Sequence, residues 1–221
     1  GLFADVVGGA LTDVHFEGTV DGASSVGGLV GYLDNGSIAN SSATVTIDGG
    51  ASTGGLVGTV GSNSTITGSS SSGLVQGNDD WVGGLVGLMV GGSISDSDSS
   101  AVVRVPSLVQ DADGYVGGLV GYALNAAITN SSASGNIEAP TSQWVGGAVG
   151  ITSGDLNRVT ATGNVEGFDL VGGLAGGIGS DTEAVRVSAT GSVQGENVVG
   201  GLVGGDNGTI DQGFSSGQVT A

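Results

Sequence analysis

Val26-Gly27-Gly28-Leu29-Val30-Gly31 is the stretch that decides the fold, because it returns nearly unchanged along the whole chain. Its second glycine recurs at Gly28, Gly55, Gly84, Gly118, Gly147, Gly173 and Gly201. Neighbouring copies lie 26 to 34 residues apart, and the opening Gly1 fits the same phase one period earlier. Periods of this length are typical of solenoids, in which each repeat packs only on its neighbours. The sequence therefore predicts a repeat protein of eight units.

Strand alternation follows each copy of the stretch. We number positions from a zero that falls at Leu11, Ile38, Ile66, Ile94, Ile128, Leu156, Ala184 and Ile210. Positions five and nine are small or β-branched in nearly every unit, whereas positions two, four, six and eight are mostly polar. Such alternation indicates a strand with one buried face. A second strand is predicted through the glycine stretch itself, whose glycines permit close backbone approach or a sharp turn.

These strands predict an all-β chain that forms one solenoid domain over residues 1–221. A unit of about 27 residues gives a coil perimeter of about 90 Å, which is enough for three short faces. The predicted architecture is therefore a three-sided parallel β-helix of about eight coils, roughly 38 Å long. A narrow interior of this kind accounts for the small side chains at the inward positions.

The residues after the glycine stretch are repeated as well. Gly-Ser-Ile-Ala-Asn-Ser-Ser-Ala follows it at 36–43, and Gly-Asn-Val-Glu-Gly occurs at 163–167. Together with the stretch, these residues resemble the GLUG-motif repeats over essentially the whole chain. The resemblance implies a segment of a large secreted or surface-attached protein, such as a filamentous-haemagglutinin-like adhesin or a cell-surface peptidase. In such proteins the repeats look like spacer or adhesive modules, and the resemblance supplies no catalytic residues.

The chain departs from that family at position four, where the family often has an aromatic residue. Here the position holds His15, Ser42, Ser70, Asp98, Ser132, Thr160 and Ser188, and only Phe214 is aromatic. A family contact that uses this aromatic residue is therefore not expected here.

Composition excludes several classes of partner. The net charge is −18, with 3 basic residues, all arginine, against 21 acidic ones. Such a charge repels nucleic acids and anionic membrane surfaces, which bind clustered cations. The apolar runs are far shorter than the ~20 residues needed to cross a bilayer. The aspartate-rich, lysine-free composition is also typical of proteins from high-salt environments, and the chain contains no cysteine.

Aromatic residues precede the glycine pair in three consecutive units, as Trp81, Tyr115 and Trp144, and Leu170 follows in the next. Stacked in neighbouring coils, they predict a stripe that contacts a sugar chain or a protein. The alternative is a plug that covers the core at a corner. The longest unit adjoins the stripe, and its Arg104, Asp111 and Asp113 join the candidate ligand-binding residues because functional loops often interrupt a solenoid.

Hydroxyl side chains form two outward columns at positions four and six. They are Ser42, Thr44, Ser70, Ser72, Ser132, Ser134, Thr160, Thr162, Ser188 and Thr190. A regular array of this kind is the basis of the alternative hypothesis of an ice-binding or crystal-surface-binding solenoid. The competing interpretation is a solvated Ser/Thr face.

Acidic pairs supply candidate ligands for calcium, the one cofactor that the sequence suggests. They are Asp79-Asp80, Asp96/Asp98 and Asp111/Asp113, and none of them matches a known calcium loop. Solvated charge is the simpler interpretation, and we assign no metal site. Carboxylates also serve in polysaccharide-degrading β-helix enzymes, but no acidic cluster stands out. The Gly-x-Ser-x-Gly match at 213–217 lies within a repeat strand and is interpreted as a chance hit.

Five asparagines open Asn-x-Ser/Thr sequons and are candidate glycosylation sites. They are Asn35, Asn40, Asn63, Asn130 and Asn207. From the residues and the resemblance, we predict a non-catalytic stalk or adhesive module at the cell surface or outside the cell. The expected partners are a surface glycan, a protein, or neighbouring copies and segments of the same protein.

Overall fold

The structure, a computed structural model, describes residues 1–106 and 114–221. These residues form parallel strands that stack in register into about eight coils, and they contain no helix. The predicted all-β solenoid of about eight coils is therefore confirmed. No described segment is a helix that is long and apolar enough to cross a membrane.

Each coil contains four strand segments, which we label A to D. In the coil at 28–54 they are residues 30–34 (A), 37–39 (B), 42–48 (C) and 53–54 (D). The glycine stretch is thus two segments, D and then A, with a bend between them, whereas one continuous strand was expected. Segments A pair only with one another, and segments B, C and D pair with their equivalents in a second ladder system.

The strands have the following bounds. Segment A is Phe3–Val7, Val30–Asp34, Val57–Val60, Val86–Val90, Val120–Leu124, Val149–Thr152, Ala175–Ile178 and Val203–Asp206. Segment B is Ala10–Thr12, Ser37–Ala39, Thr65–Thr67 and Ser93–Ser95, and it merges with the start of C in Ala127–Ala133, Leu156–Ala161, Glu183–Ala189 and Thr209–Ser215. Segment C continues in Ser70–Gly77, Asp98–Ser99, Val102–Arg104, Ile137–Glu138, Val165–Glu166, Val193–Gln194 and Val219–Thr220. Segment D is Trp81–Gly83, Tyr115–Gly117, Val145–Gly146, Val171–Gly172 and Val199–Gly200, and His15–Gly27 and Ser42–Gly54 run through both C and D.

The interior is divided into two apolar cores. The main core lies between segments A, B and the first half of C, and it contains the columns that include Leu29, Ile38 and Ala43. From the third coil onward a second core lies between the end of C and segment D, where the column of Val75 packs on that of Val82, whereas Val20, Val26 and Ile47 of the first two coils belong to the main core. The outermost coils leave such columns open, and Val219, at inward position nine of the last coil, is 45% exposed.

Glycine backbones close each coil where D meets A. A Cβ on Gly146 in segment D would overlap the carbonyl oxygen of Val149 and the backbone of Ala175 in segment A. The second glycine of the pair packs instead on position five of segment C, so that a Cβ on Gly147 would lie 2.9 Å from the Cβ of Ala161. The inward column at position five is therefore Ala or Ser in the inner coils, since the opposing backbone leaves no room for a larger side chain.

A buried serine ladder joins the corners of four consecutive coils. Its members at position three are Ser41, Ser69, Ser97 and Ser131. The Ser97 Oγ donates to the carbonyl oxygen of Ser95 (2.8 Å) and accepts from the Ser69 N–H (3.1 Å). The serine hydroxyl thus accepts the hydrogen bond of a backbone N–H group at the corner where B and C are separate strands, in place of a backbone carbonyl oxygen. The next two coils have Val159 and Val187 here, and in them B and C form one strand, as they already do in Ala127–Ala133, which contains Ser131.

We predict that Gly146→Ala destabilises the solenoid by about 3 kcal/mol or more, because the added Cβ overlaps backbone that cannot move without opening neighbouring coils. Urea unfolding followed by circular dichroism measures the change. Gly179→Ala is the control, since its Cβ would approach no atom closer than 3.3 Å, and we expect a change within about 0.5 kcal/mol. Equal effects of the two substitutions would contradict the role given to the seam.

A second prediction concerns the serine ladder. Ser97→Ala removes the acceptor of a buried N–H group and is expected to cost about 1–3 kcal/mol. Ser100→Ala, at an exposed position of the same coil, should be nearly neutral. A near-neutral Ser97→Ala would show that the corner rearranges as it does in the coils with valine.

Candidate functional site

Both tryptophans and all three tyrosines of the chain lie on one face of the rod. We define the aromatic strip as Tyr32, Trp81, Tyr115, Tyr122 and Trp144. Three of them stand at the start of or just before segment D, and the two others stand in one column of segment A. Leu88, Ile151 and Leu170 occupy other positions of the same two columns, and Ser25, Ser52 and Thr59 occupy the part nearer the N-terminus. The face is therefore apolar over several consecutive coils.

Three of the five rings, those of Tyr115, Tyr122 and Trp144, pack against one another. The Tyr115 and Tyr122 ring centroids lie 5.3 Å apart with planes inclined by 27°, and the Tyr115 and Trp144 centroids lie 6.4 Å apart at 13°. All five aromatic side chains are half-buried. The expected stripe thus exists as a geometric feature, and its rings both cover the seam between D and A and remain partly accessible.

Glycine makes room for the largest ring. A Cβ on Gly177 would lie 2.5 Å from Trp144 Cζ3 and 2.7 Å from Cε3. Gly177 belongs to the segment A column that holds Tyr122 and Ile151 in earlier coils. The indole therefore rests directly on the backbone of segment A, where larger side chains stand elsewhere.

Two carboxylates lie just before the segment D column of the strip, with Asp79 two residues before Trp81 and Asp169 one residue before Leu170. Asp79 Oδ1 accepts the Asp80 N–H (3.0 Å), and Asp169 Oδ1 accepts the N–H groups of Leu170 (2.9 Å) and Val198 (3.2 Å). These bonds fix the two side chains at the turns that lead into segment D. In the described part of the chain, the second carboxylate oxygen of each has no hydrogen-bond partner.

The other candidate ligand-binding residues do not join the strip in the described structure. Arg104 lies at the end of segment C, and its Nη2 is 2.7 Å from Glu138 Oε2 in the next coil. Both side chains are 41% exposed, so this ion pair contributes less than about 1 kcal/mol. Asp111 and Asp113 lie outside the described residues.

The hydroxyl columns are less regular than a flat array requires. Residues at position four are half-buried, and those at position six are mostly exposed. In the coil of Thr160 and Thr162, the strand ends at Ala161 and resumes at Val165, so that Thr162 stands at a break in the strand. Asp98 and Phe214 further interrupt the position-four column.

The remaining candidates are exposed and separate. Each of the five sequon asparagines is exposed. Within residues 1–106 and 114–221, no group of three or more His, Asp or Glu side chains is arranged to hold a metal ion. Glu138 and Glu166 are neighbours in register and border a shallow depression of about 220 Å³ on segment C. Ser215, from the Gly-x-Ser-x-Gly match, donates its hydroxyl to the Gly201 carbonyl oxygen (2.7 Å).

Sequence reasoning missed two of the five residues of the strip. Tyr122 and Tyr32 lie in segment A, and nothing in the repeat pattern shows that their column faces that of Tyr115. The available signal was the spacing, since Tyr122 follows Tyr115 by one bend and Ile151 follows Trp144 in the same way.

A family model describes this chain in two places. The GLUG motif matches residues 22–48 and 112–138. The chain carries GLUG motifs. The GLUG match at 22–48 begins within the strand His15–Gly27 and ends with the following segment C, so this match spans one coil. No curated protein and no solved structure matches the chain.

The corner between B and C adopts a left-handed backbone conformation in every coil. The residues there are Asp13, Asn40, Gly68, Asp96, Asn130, Arg158, Arg186 and Gln212. Asn, Asp and Gly favour this conformation, and arginine does not. Arg158 Nη1 donates to Asn130 Oδ1 (3.2 Å), whereas Arg186 has no such bond among the described residues.

We therefore predict that Arg186→Asn stabilises the protein by about 0.5 kcal/mol or more, by relieving backbone strain at φ 53°. The unfolding midpoint in urea measures this. Arg104→Asn, which makes the same change of residue but breaks the ion pair with Glu138, should not stabilise. A loss of stability in Arg186→Asn would indicate a structural bond of that guanidinium.

Proposed function

We propose that this chain is a non-catalytic, rigid module of an extracellular or cell-surface protein, and that its aromatic strip contacts a glycan or a protein. The supporting observation is the concentration of every Trp and Tyr on one face of the rod. Tryptophan and tyrosine supply large contact areas at low entropic cost and are enriched at the centres of interfaces.

The solenoid suits this role mechanically. Backbone hydrogen bonds link equivalent segments of successive coils along the rod, for example from the Leu56 N–H to the Leu85 carbonyl oxygen (2.9 Å). A stack of this kind holds a surface feature at a fixed distance from its attachment, as a stalk does. The GLUG motifs support the same proposal, because the resemblance to GLUG-motif repeats implies a large surface protein in which these repeats look like spacer modules.

Substitution of the two tryptophans tests the contact site. Ser25 and Ser52 occupy the same column in the first two coils, there with a left-handed backbone (φ 48° and 55°), so Trp81→Ser with Trp144→Ser uses a side chain that already occurs in this column. We expect at least tenfold weaker binding to whatever the wild-type chain binds on an array of glycans and extracellular proteins, since each ring contributes about 1 kcal/mol.

Thr162→Ala with Thr190→Ala is the matched control, because it alters two exposed residues on segment C. Its binding should equal that of the wild type. Loss of binding in this control alone would favour the hydroxyl columns and the surface-binding alternative. New reducing ends after incubation with polysaccharides would contradict the non-catalytic assignment.

A further inference from the structure

The aromatic strip repeats with the period of the solenoid. Trp81 pairs in register with Tyr115, and Val116, which follows Tyr115, pairs with Val145, which follows Trp144. Neighbouring coils advance by about 4.8 Å along the rod. The Tyr115 and Trp144 planes differ by only 13°. A linear partner that contacts one ring therefore meets the next ring in nearly the same orientation. An extended β-linked glycan advances by a similar distance for each sugar.

Electrostatics select among such chains. In the described part of the protein, no arginine lies at the strip: Arg104 pairs with Glu138 on segment C, and Arg158 and Arg186 lie at the corner between B and C. Asp79 and Asp169 lie just before the segment D column of the strip, and the chain carries a net charge of −18. A polyanionic glycan would be repelled over the whole approach, whereas a neutral one is not.

The carboxylates of Asp79 and Asp169 suit sugar hydroxyl groups. Each has one oxygen held by backbone N–H groups, at 3.0 Å for Asp79 and at 2.9 Å and 3.2 Å for Asp169. The other oxygen remains an acceptor, and hydrogen bonds from hydroxyl donors to a carboxylate are stronger than neutral ones. Ring faces and edges for the apolar side of a pyranose thus stand beside acceptors for its hydroxyl groups.

The width of the strip argues against a globular protein as the main partner. Two columns over about five coils span roughly 10 Å by 24 Å, which is well below the ~800 Å² that each side of a stable protein interface buries. A single extended chain matches this shape.

We propose that the strip binds a neutral, β-linked glycan chain that lies along the rod axis. This proposal rests on the contact function proposed above and names its ligand class.

Titration with glycans of defined length and charge tests the ligand class and tests whether the glycan chain lies along the rod axis. Cellohexaose and cellobiose are the neutral β-linked probes, β-linked polymannuronate and α-linked polygalacturonate are the anionic probes, neither of which should bind, and tryptophan fluorescence with NMR line broadening reports binding. We expect cellohexaose to bind at least tenfold more tightly than cellobiose, because it spans several coils. Binding should change little between ~0.05 and ~0.5 M NaCl, since no ion pair is involved.

Variants assign the binding to the strip. Trp81→Ser with Trp144→Ser should weaken cellohexaose binding at least tenfold, as read by NMR. Asp79→Asn with Asp169→Asn keeps the acceptors for the backbone and should weaken it about threefold. Thr162→Ala with Thr190→Ala should leave it unchanged.

Each contrary outcome has a distinct meaning. Absence of cellohexaose binding, equal affinity for cellobiose, or preference for either anionic probe overturns the neutral, axial chain. If array binding to a protein or another glycan still depends on the tryptophans, the proposed function stands and only this inference fails. If no binding depends on them, both fail.

Discussion

The contact between the backbones of segments D and A is the constraint on which the structure depends. Three glycines in six residues let two strand segments approach until no Cβ fits between them. Each coil is closed at this point, and the closure is repeated with the same atoms in successive coils. The abundance of glycine, 48 of 221 residues, is thus a steric requirement of the rod and does not indicate flexibility.

The contact between D and A also affects the inward column beneath it and the surface residues above it. Inside, the second glycine presses on position five of segment C and restricts that column to Ala and Ser in the inner coils. Outside, the residues at the start of D or just before it lie over the A column, since Tyr115 stacks on Tyr122 and Trp144 lies against Gly177. The candidate site is consequently a by-product of the way in which the coil closes.

Much of the fold could be predicted because the sequence contains each position of the coil eight times. The inward columns at Ile38 and Ala43, and the outward polar positions, follow from alternation alone. What alternation cannot show is which columns of different segments face each other, so the division of the glycine stretch into D and A escaped prediction. The ladder through Ser97 escaped as well, because a buried serine at an inward position looks like any small residue. Tyr122 was not predicted as part of the site because alternation does not show that its column in segment A faces the column of Tyr115 in segment D.

Comparison of the coils also shows which residues the closure of a coil requires and which it does not. Each column contains its own substitutions, so that Ser25 and Thr59 stand where Trp144 and Tyr122 stand farther along, although Ser25 has a left-handed φ of 48° that Trp144 does not share. Since the coil closes through glycine in either case, the rings are not needed for closure. Large half-exposed aromatic side chains that the fold does not require, confined to adjacent coils on one face, are better explained by a contact that uses them than by a plug.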